Sequence, residues 1–247
     1  MELIITDTYN ELSREAARIA VEFLIDNPTT PTIIPTGNTP LGLYRELIEK
    51  HRMGEIDLTN YCYVQLDEYA GIKKTDNRNL YRWMRQVFLD PLGIEELQAI
   101  HFDSEAKDAI VESEFIESTI EQIGGIGLCV LGLGPNGHLG FNEPGSTFDS
   151  RTRLVDLTPE SIESNTRYWG KPELVPKQAY TLGMVTLKLA SKTILLVSSK
   201  KKAGILARVL EGPISPEVPA TMLREMKNVT VIADRDAASE LKKVKDR

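Results

Sequence analysis

Ile126-Gly127-Leu128-Cys129-Val130-Leu131 runs straight into Gly132-Leu133-Gly134-Pro135-Asn136-Gly137-His138-Leu139-Gly140-Phe141-Asn142-Glu143-Pro144. The first six residues are a short apolar run of the kind a buried strand makes, and the glycines after it form a permissive turn. Gly132, Gly134, Gly137 and Gly140 let the backbone take positive φ and come close to a ligand. One imidazole, His138, stands among them, with the carboxylate of Glu143 five residues on. A titratable pair at the C-terminal edge of a buried strand lies where doubly wound sheets keep their chemistry. The plainer alternative is a tight turn whose histidine caps a helix or satisfies a backbone carbonyl.

On both sides of this stretch, strand and helix patterns alternate. Residues 1–6 read as a strand or extended arm. Thr8-Tyr9-Asn10-Glu11 has capping-box spacing, and Leu12, Ala16, Ile19, Ala20, Phe23 and Leu24 then share one helical face until Asn27-Pro28. Strands are expected at 32–35, 61–66, 99–102, 193–198 and 229–233. Helices are expected at 41–51, from Leu80 to Phe88, and at 108–123, 203–210, 219–226 and 237–245, with 179–189 passing from strand into helix. The alternation predicts an α/β fold: a three-layer, mainly parallel, doubly wound (Rossmann-like) sheet with helices on both faces.

The composition, 41% hydrophobic and 26% charged over 247 residues, is that of a soluble globular protein, and one domain over 1–247 is expected. A net charge of −7 argues against a nucleic-acid partner or an anionic membrane surface. It leaves room for an anionic substrate in a locally basic pocket. Cys62 and Cys129 fall in apolar runs without metal-ligand spacing and read as buried thiols of a reducing compartment. The N-terminus lacks a signal-peptide pattern and no apolar run reaches membrane-spanning length, so a cytoplasmic protein is expected.

Three further places carry chemistry. Thr36-Gly37-Asn38-Thr39-Pro40 joins a strand to a helix N-terminus, which offers N–H groups and a positive dipole end to a phosphate, or is simply a capped turn. Asp67 and Glu68 follow an apolar strand, as catalytic acids or as a solvated turn. Arg151, Arg153, Arg167 and the triplet Lys200-Lys201-Lys202 can serve an anion or face solvent; His101 reads as structural.

Taken together, Pro35-Thr36-Gly37-Asn38-Thr39-Pro40, Leu66-Asp67-Glu68-Tyr69, the run from Gly134 to Pro144, Ser150-Arg151-Thr152-Arg153 and Asn165-Thr166-Arg167 resemble the glucosamine-6-phosphate deaminase/isomerase family. That family shares a superfamily with 6-phosphogluconolactonase. The likeness covers nearly the whole chain in the same order, and its most specific element is Gly137-His138 with Phe141-Asn142-Glu143-Pro144. It implies conversion of a 2-amino-2-deoxyhexose 6-phosphate to a ketohexose 6-phosphate and ammonia, classed as hydrolase and isomerase chemistry of amino-sugar metabolism. It implies His138 as the group that opens the sugar ring, Glu143 and Asn136 as its partners, and Asp67 as the base that moves a proton from C2 to C1. Thr36, Gly37, Asn38, Thr39, Glu68, Gly134, Gly137, Arg167 and Lys202 are implied as substrate- and phosphate-binding residues. No metal and no organic cofactor is implied.

Two positions depart from better-known members of the family. Asn136 stands where those members place an aspartate, and an amide can hydrogen-bond but cannot share a proton. Val155 stands where allosterically activated members carry a basic residue, which points away from that activation and toward a monomer or small homo-oligomer. The alternatives are a galactosamine-6-phosphate deaminase/isomerase, then a 6-phosphogluconolactonase, then a non-catalytic sugar-phosphate sensor.

Overall fold

The computed structural model describes residues 1–242. In chain order its elements are β1 (Glu2–Thr6), α1 (Tyr9–Asp26), β2 (Pro31–Ile33), α2 (Leu41–Arg52), β3 (Cys62–Val64), β4 (Asp67–Tyr69), α3 (Leu80–Met84), β5 (Ala99–Ile100), α4 (Ala109–Gln122) and β6 (Leu128–Gly132). Then follow β7 (Arg153–Asp156), α5 (Pro159–Trp169), β8 (Gln178–Thr181), α6 (Met184–Lys188), β9 (Lys192–Val197), α7 (Ala203–Glu211), β10 (Val229–Asp234) and α8 (Arg235–Ala238). The capping box holds: Thr8 accepts from Glu11 N–H, and the Glu11 carboxylate reaches back to the N–H of Thr8.

Seven strands form one sheet in the order β1-β10-β9-β6-β2-β3-β5, all neighbours parallel. Strand alternation builds the three layers from sequence. Leu128 and Val130 of β6 face one side, packing in the core that includes Leu12 and Ala16 of α1 and Leu43 and Leu47 of α2. Cys129 and Leu131 face the other, with Ile116 and Ile120 of α4 and Leu206 and Val209 of α7. Truncating a fully buried member such as Leu131 to alanine would cost about 2–5 kcal/mol.

A second, three-stranded antiparallel sheet, β4-β8-β7, departs from the expected single sheet. Its strands are too short and too polar to give an alternating signal, and β4 is only Asp67-Glu68-Tyr69. A separate apolar cluster, including Tyr69, Phe141, Leu157 and Trp169, joins this sheet to α5. The helix expected at 219–226 is a 3-10 turn (Pro219–Glu225), and the one begun at Leu80 passes into a π turn at Arg85–Leu89. The terminal helix expected at 237–245 is confined to α8 as far as an element is assigned, and its remainder beyond 242 lies outside the described residues. No helix among the described residues is long and apolar enough to cross a membrane.

The topology fixes one crevice. From β2 the chain moves to β3 on one side, whereas from β6 it moves on to β9 on the other, and β2 and β6 are neighbours. Their C-terminal ends therefore open onto a switch point, where connecting loops part and leave room for a ligand.

Candidate active site

Loops after β2, β6 and β9, with β4 and α5, enclose a cleft of about 910 Å³ at this switch point. Thr36, Gly37, Asn38, Thr39, Asp67, Gly134, His138, Arg167 and Lys202 all line it. Residues from five separate segments are thus brought together.

The turn after β6 is closed by Gly134 N–H donating to the carbonyl of His138 (3.0 Å). The imidazole folds back over Gly134, where a Cβ would lie 2.0 Å from its Cδ2, so only glycine permits this placement. Nδ1 of His138 stands 3.1 Å from Oε2 of Glu143, which leaves Nε2 as the ring nitrogen free for other work. The same Oε2 accepts from Nδ2 of Asn136 (2.8 Å), and the Ser161 hydroxyl donates to Oε1. Burial pushes the Glu143 carboxyl up, but the bond and charge of His138 and the Ser161 and Asn136 donors outweigh it, so it is held below the ordinary range. Asn136 thus binds Glu143 rather than the imidazole ring, and its Oδ1 accepts from the backbone N–H of His138 (3.2 Å). Glu143 and Asn136 stand behind His138, outside the cleft lining.

Asp67 presents the opposite case. Burial first, then the neighbouring Glu68 charge, push its carboxyl up to about 7. Tyr69, two residues on, lines the cleft beside it, whereas Glu68 does not. That corrects the expected substrate-binding role for Glu68. Adjacent residues of a strand point to opposite faces, and Glu68 is fully buried on the far side of β4. There it accepts from the N–H groups of Tyr69 (2.9 Å), Leu80 (3.0 Å) and Tyr81 (2.9 Å) and from Gln65 Nε2 (3.0 Å), satisfying the first turn of α3. Gly137 is corrected in the same way. A Cβ there would meet Val218 Cγ1 at 2.6 Å, and its carbonyl accepts from Ala220 N–H (2.9 Å), so it packs away from the cleft.

The far end of the cleft suits an anion. Helix α2 begins after Pro40, which supplies no side-chain cap, and Pro40 and Leu41 line the cleft together with the loop of Thr36–Thr39. The Tyr9 hydroxyl pins this loop, lying near the carbonyls of Asn38 (3.2 Å) and Thr39 (3.0 Å) and accepting from Gly42 N–H (2.8 Å). Lys202 is partly buried, and burial followed by the Arg167 charge lowers it to about 8. Arg151 and Arg153 do not join them; Arg153 binds Asn142 Oδ1 (3.0 Å) and Ser146 Oγ (3.1 Å) instead. His101 stacks on Tyr81 with centroids 3.7 Å apart, as a structural residue. Cys129 is buried and Cys62 partly so, both free thiols.

Sequence reasoning missed Ser161, Tyr9 and the aromatic wall of Tyr69 and Trp169, which meet edge-on with centroids 5.3 Å apart. The cation of Arg78 lies 4.2 Å from the centroid of Trp169, tying α5 to the loop before α3. Ser161 had only a faint signal, as the third residue after the capping Thr158. Among the described residues, no three His, Cys, Asp or Glu side chains gather as a metal-ligand group.

Comparison with known proteins agrees with this fold. A family model described as glucosamine-6-phosphate isomerases/6-phosphogluconolactonase matches residues 6–232. A glucosamine-6-phosphate deaminase of Thermoanaerobacter sp. (strain X514) is 38% identical over 240 residues, 97% of this chain and 94% of the relative. Glucosamine-6-phosphate deaminase 1 of Bacillus subtilis (strain 168) is 37% identical over 241 residues, 97% of this chain and 99% of its own. A solved monomeric glucosamine-6-phosphate deaminase superposes with a TM-score of 0.94 at 36% identity, covering 97% of this chain and 100% of that one. A 6-phosphogluconolactonase from Trypanosoma cruzi, 22% identical over 98% of this chain and 97% of its own, has a TM-score of 0.77 and shares the fold. These names also correct one expectation: the class hydrolase gives way to deaminase and isomerase.

Proposed function

The chain belongs to the glucosamine-6-phosphate deaminase/isomerase family, and from that premise we propose that it converts glucosamine 6-phosphate to a ketohexose 6-phosphate and ammonia. The observation that carries this reading is the joining, in one cleft, of a raised carboxylate, an imidazole held by a second carboxylate, and a cationic end.

The substrate phosphate is bound by the Thr36–Thr39 loop, the α2 N-terminus, Arg167 and Lys202. With Nδ1 held by Glu143, His138 uses Nε2 to move a proton between the anomeric hydroxyl and the ring oxygen, which opens the ring. Asp67 then takes the proton from C2 and returns it to C1 through an enolamine. A carboxyl near 7 is suited to both directions of that transfer, since it neither holds nor sheds the proton strongly at neutral pH. The amino group leaves C2 as ammonia while water supplies the ketone oxygen. Asn136 and Ser161 act through Glu143, fixing its two oxygens so that it orients the imidazole. A monomer is the assembly proposed, supported by the 36% identical monomeric deaminase.

The test is ammonia and ketose 6-phosphate formation from glucosamine 6-phosphate and galactosamine 6-phosphate side by side. Turnover of the glucosamine epimer is expected. Preference for the galactosamine epimer would reassign the substrate, and silence on both with phosphate binding intact would overturn the enzyme reading in favour of a sensor.

A further inference from the structure

Ser199 has φ 85° and ψ 144°, a combination that only glycine adopts without strain. Asn228, the other positive-φ residue besides glycine among the described ones, has φ 54°, in the left-handed region that asparagine tolerates. Ser199 therefore needs something to hold it. The turn lies between β9 and α7, and Ser198, Ser199, Lys201 and Lys202 all line the cleft at its anion end.

The holding group is Asp234, at the C-terminal end of the adjacent strand β10 and only 7% exposed. Its Oδ1 and Oδ2 accept from the N–H of Ser199 (3.2 and 3.1 Å), Oδ2 accepts from the Ser198 hydroxyl, and Oδ1 also accepts from Ala237 N–H (2.8 Å) at the start of α8. Ser199 in turn receives Lys202 N–H on its carbonyl (2.9 Å) and Lys201 N–H on its hydroxyl (3.3 Å). A chain of hydrogen bonds thus runs from a buried carboxylate, through a strained residue, to the backbone of the cleft lysine.

We propose that Asp234 is a positioning residue for phosphate recognition: it forces Ser199 into its strained conformation and so sets the turn that presents Lys202 to the substrate phosphate. Asp234 itself does not line the cleft. Charge-assisted bonds to two donors of the turn offset the backbone strain, and without them Ser199 relaxes to negative φ and carries Lys202 out of register. The inference rests on the reading that Lys202 binds the phosphate.

The test compares wild type, Asp234→Ala, Ser199→Gly and the double variant, each checked for folding by its melting curve. Two readouts are taken: KM and kcat for glucosamine 6-phosphate, and the dissociation constant for inorganic phosphate. Asp234→Ala is expected to raise KM and the phosphate constant about tenfold or more, with kcat within about threefold. Ser199→Gly in that background is expected to recover much of the loss, because glycine takes the required φ freely. Unchanged phosphate affinity in folded Asp234→Ala would overturn the inference, as would a loss that Ser199→Gly does not relieve. Wild type that binds phosphate but turns over no amino-sugar phosphate would sink the enzymatic reading, while the phosphate arm still tests the role of Asp234.

Discussion

Asp67 on β4 and Glu143 in the loop after β6 are almost equally buried, at 7% and 6% exposure, yet they titrate on opposite sides of the ordinary carboxylate range. Asp67 is pushed up to about 7 by burial and by the charge of Glu68. Burial also pushes Glu143 up, but it has an imidazole, an amide and a hydroxyl as partners, and they bring it below the usual value. Burial alone makes a carboxyl hold its proton; donors decide whether it lets go. In the proposed mechanism the difference separates a group that carries protons from one that stays charged to orient another.

The widest break in this comparison is Asp67→Asn, which keeps shape and removes the proton carrier. It is expected to lower kcat by about 10²- to 10⁴-fold while substrate binding persists. The same variant tests the pH reading. Activity of the wild type should fall as pH drops through about 7, because the base form of Asp67 is lost. Its raised value also means the folded state binds the proton more tightly than the unfolded one, so its contribution to stability declines as pH rises from about 4 toward 7. Asp67→Asn should therefore raise the melting temperature more at pH 7.5 than at pH 5, and equal gains at both would refute the assigned shift.

Glu143→Gln is expected to reduce kcat by about 10- to 100-fold with KM little changed, since the imidazole loses the charge that fixes its useful tautomer. Wild-type kcat in this variant would make Glu143 a packing residue only. A smaller effect sharpens the Asp67 side. Glu68→Gln removes the nearby charge, so the acidic limb of the kcat/KM profile should move to lower pH. It also weakens the acceptor at the start of α3 and should cost about 1–3 kcal/mol by denaturant titration. An unmoved limb would leave burial as the whole cause. The smallest change expected is for Asn136→Asp, which replaces a donor 2.8 Å from Glu143 by a second carboxyl. One of the two must then titrate higher, so the variant's melting temperature should fall relative to wild type on going from pH 5 to pH 7. A constant difference would mean that the pair shares no proton.

Much of this was legible in the chain itself. The apolar run of β6 and its glycine turn, the capping box of α1 and the Thr36–Pro40 turn signal their structures through local chemistry, and each was found where expected. The small sheet was not legible, because Asp67-Glu68-Tyr69 and Arg153–Asp156 form strands only through partners more than twenty residues distant in sequence. Read from the residues alone, Asp67 and Glu68 are equivalent neighbouring acids, and the family resemblance gave both a place in the site. Once β4 exists, the pleat turns one to the cleft and buries the other under α3.

The sequence by itself determined the α/β alternation and the doubly wound class, because periodicity and turn chemistry are local properties. Only the tertiary structure decided that Asp67 and not Glu68 lines the cleft, that Asn136 binds Glu143 rather than the imidazole, and that Asp234 accepts from the turn before Lys202. Those outcomes depend on burial and on donors supplied by distant segments, and neither is written in the neighbouring residues.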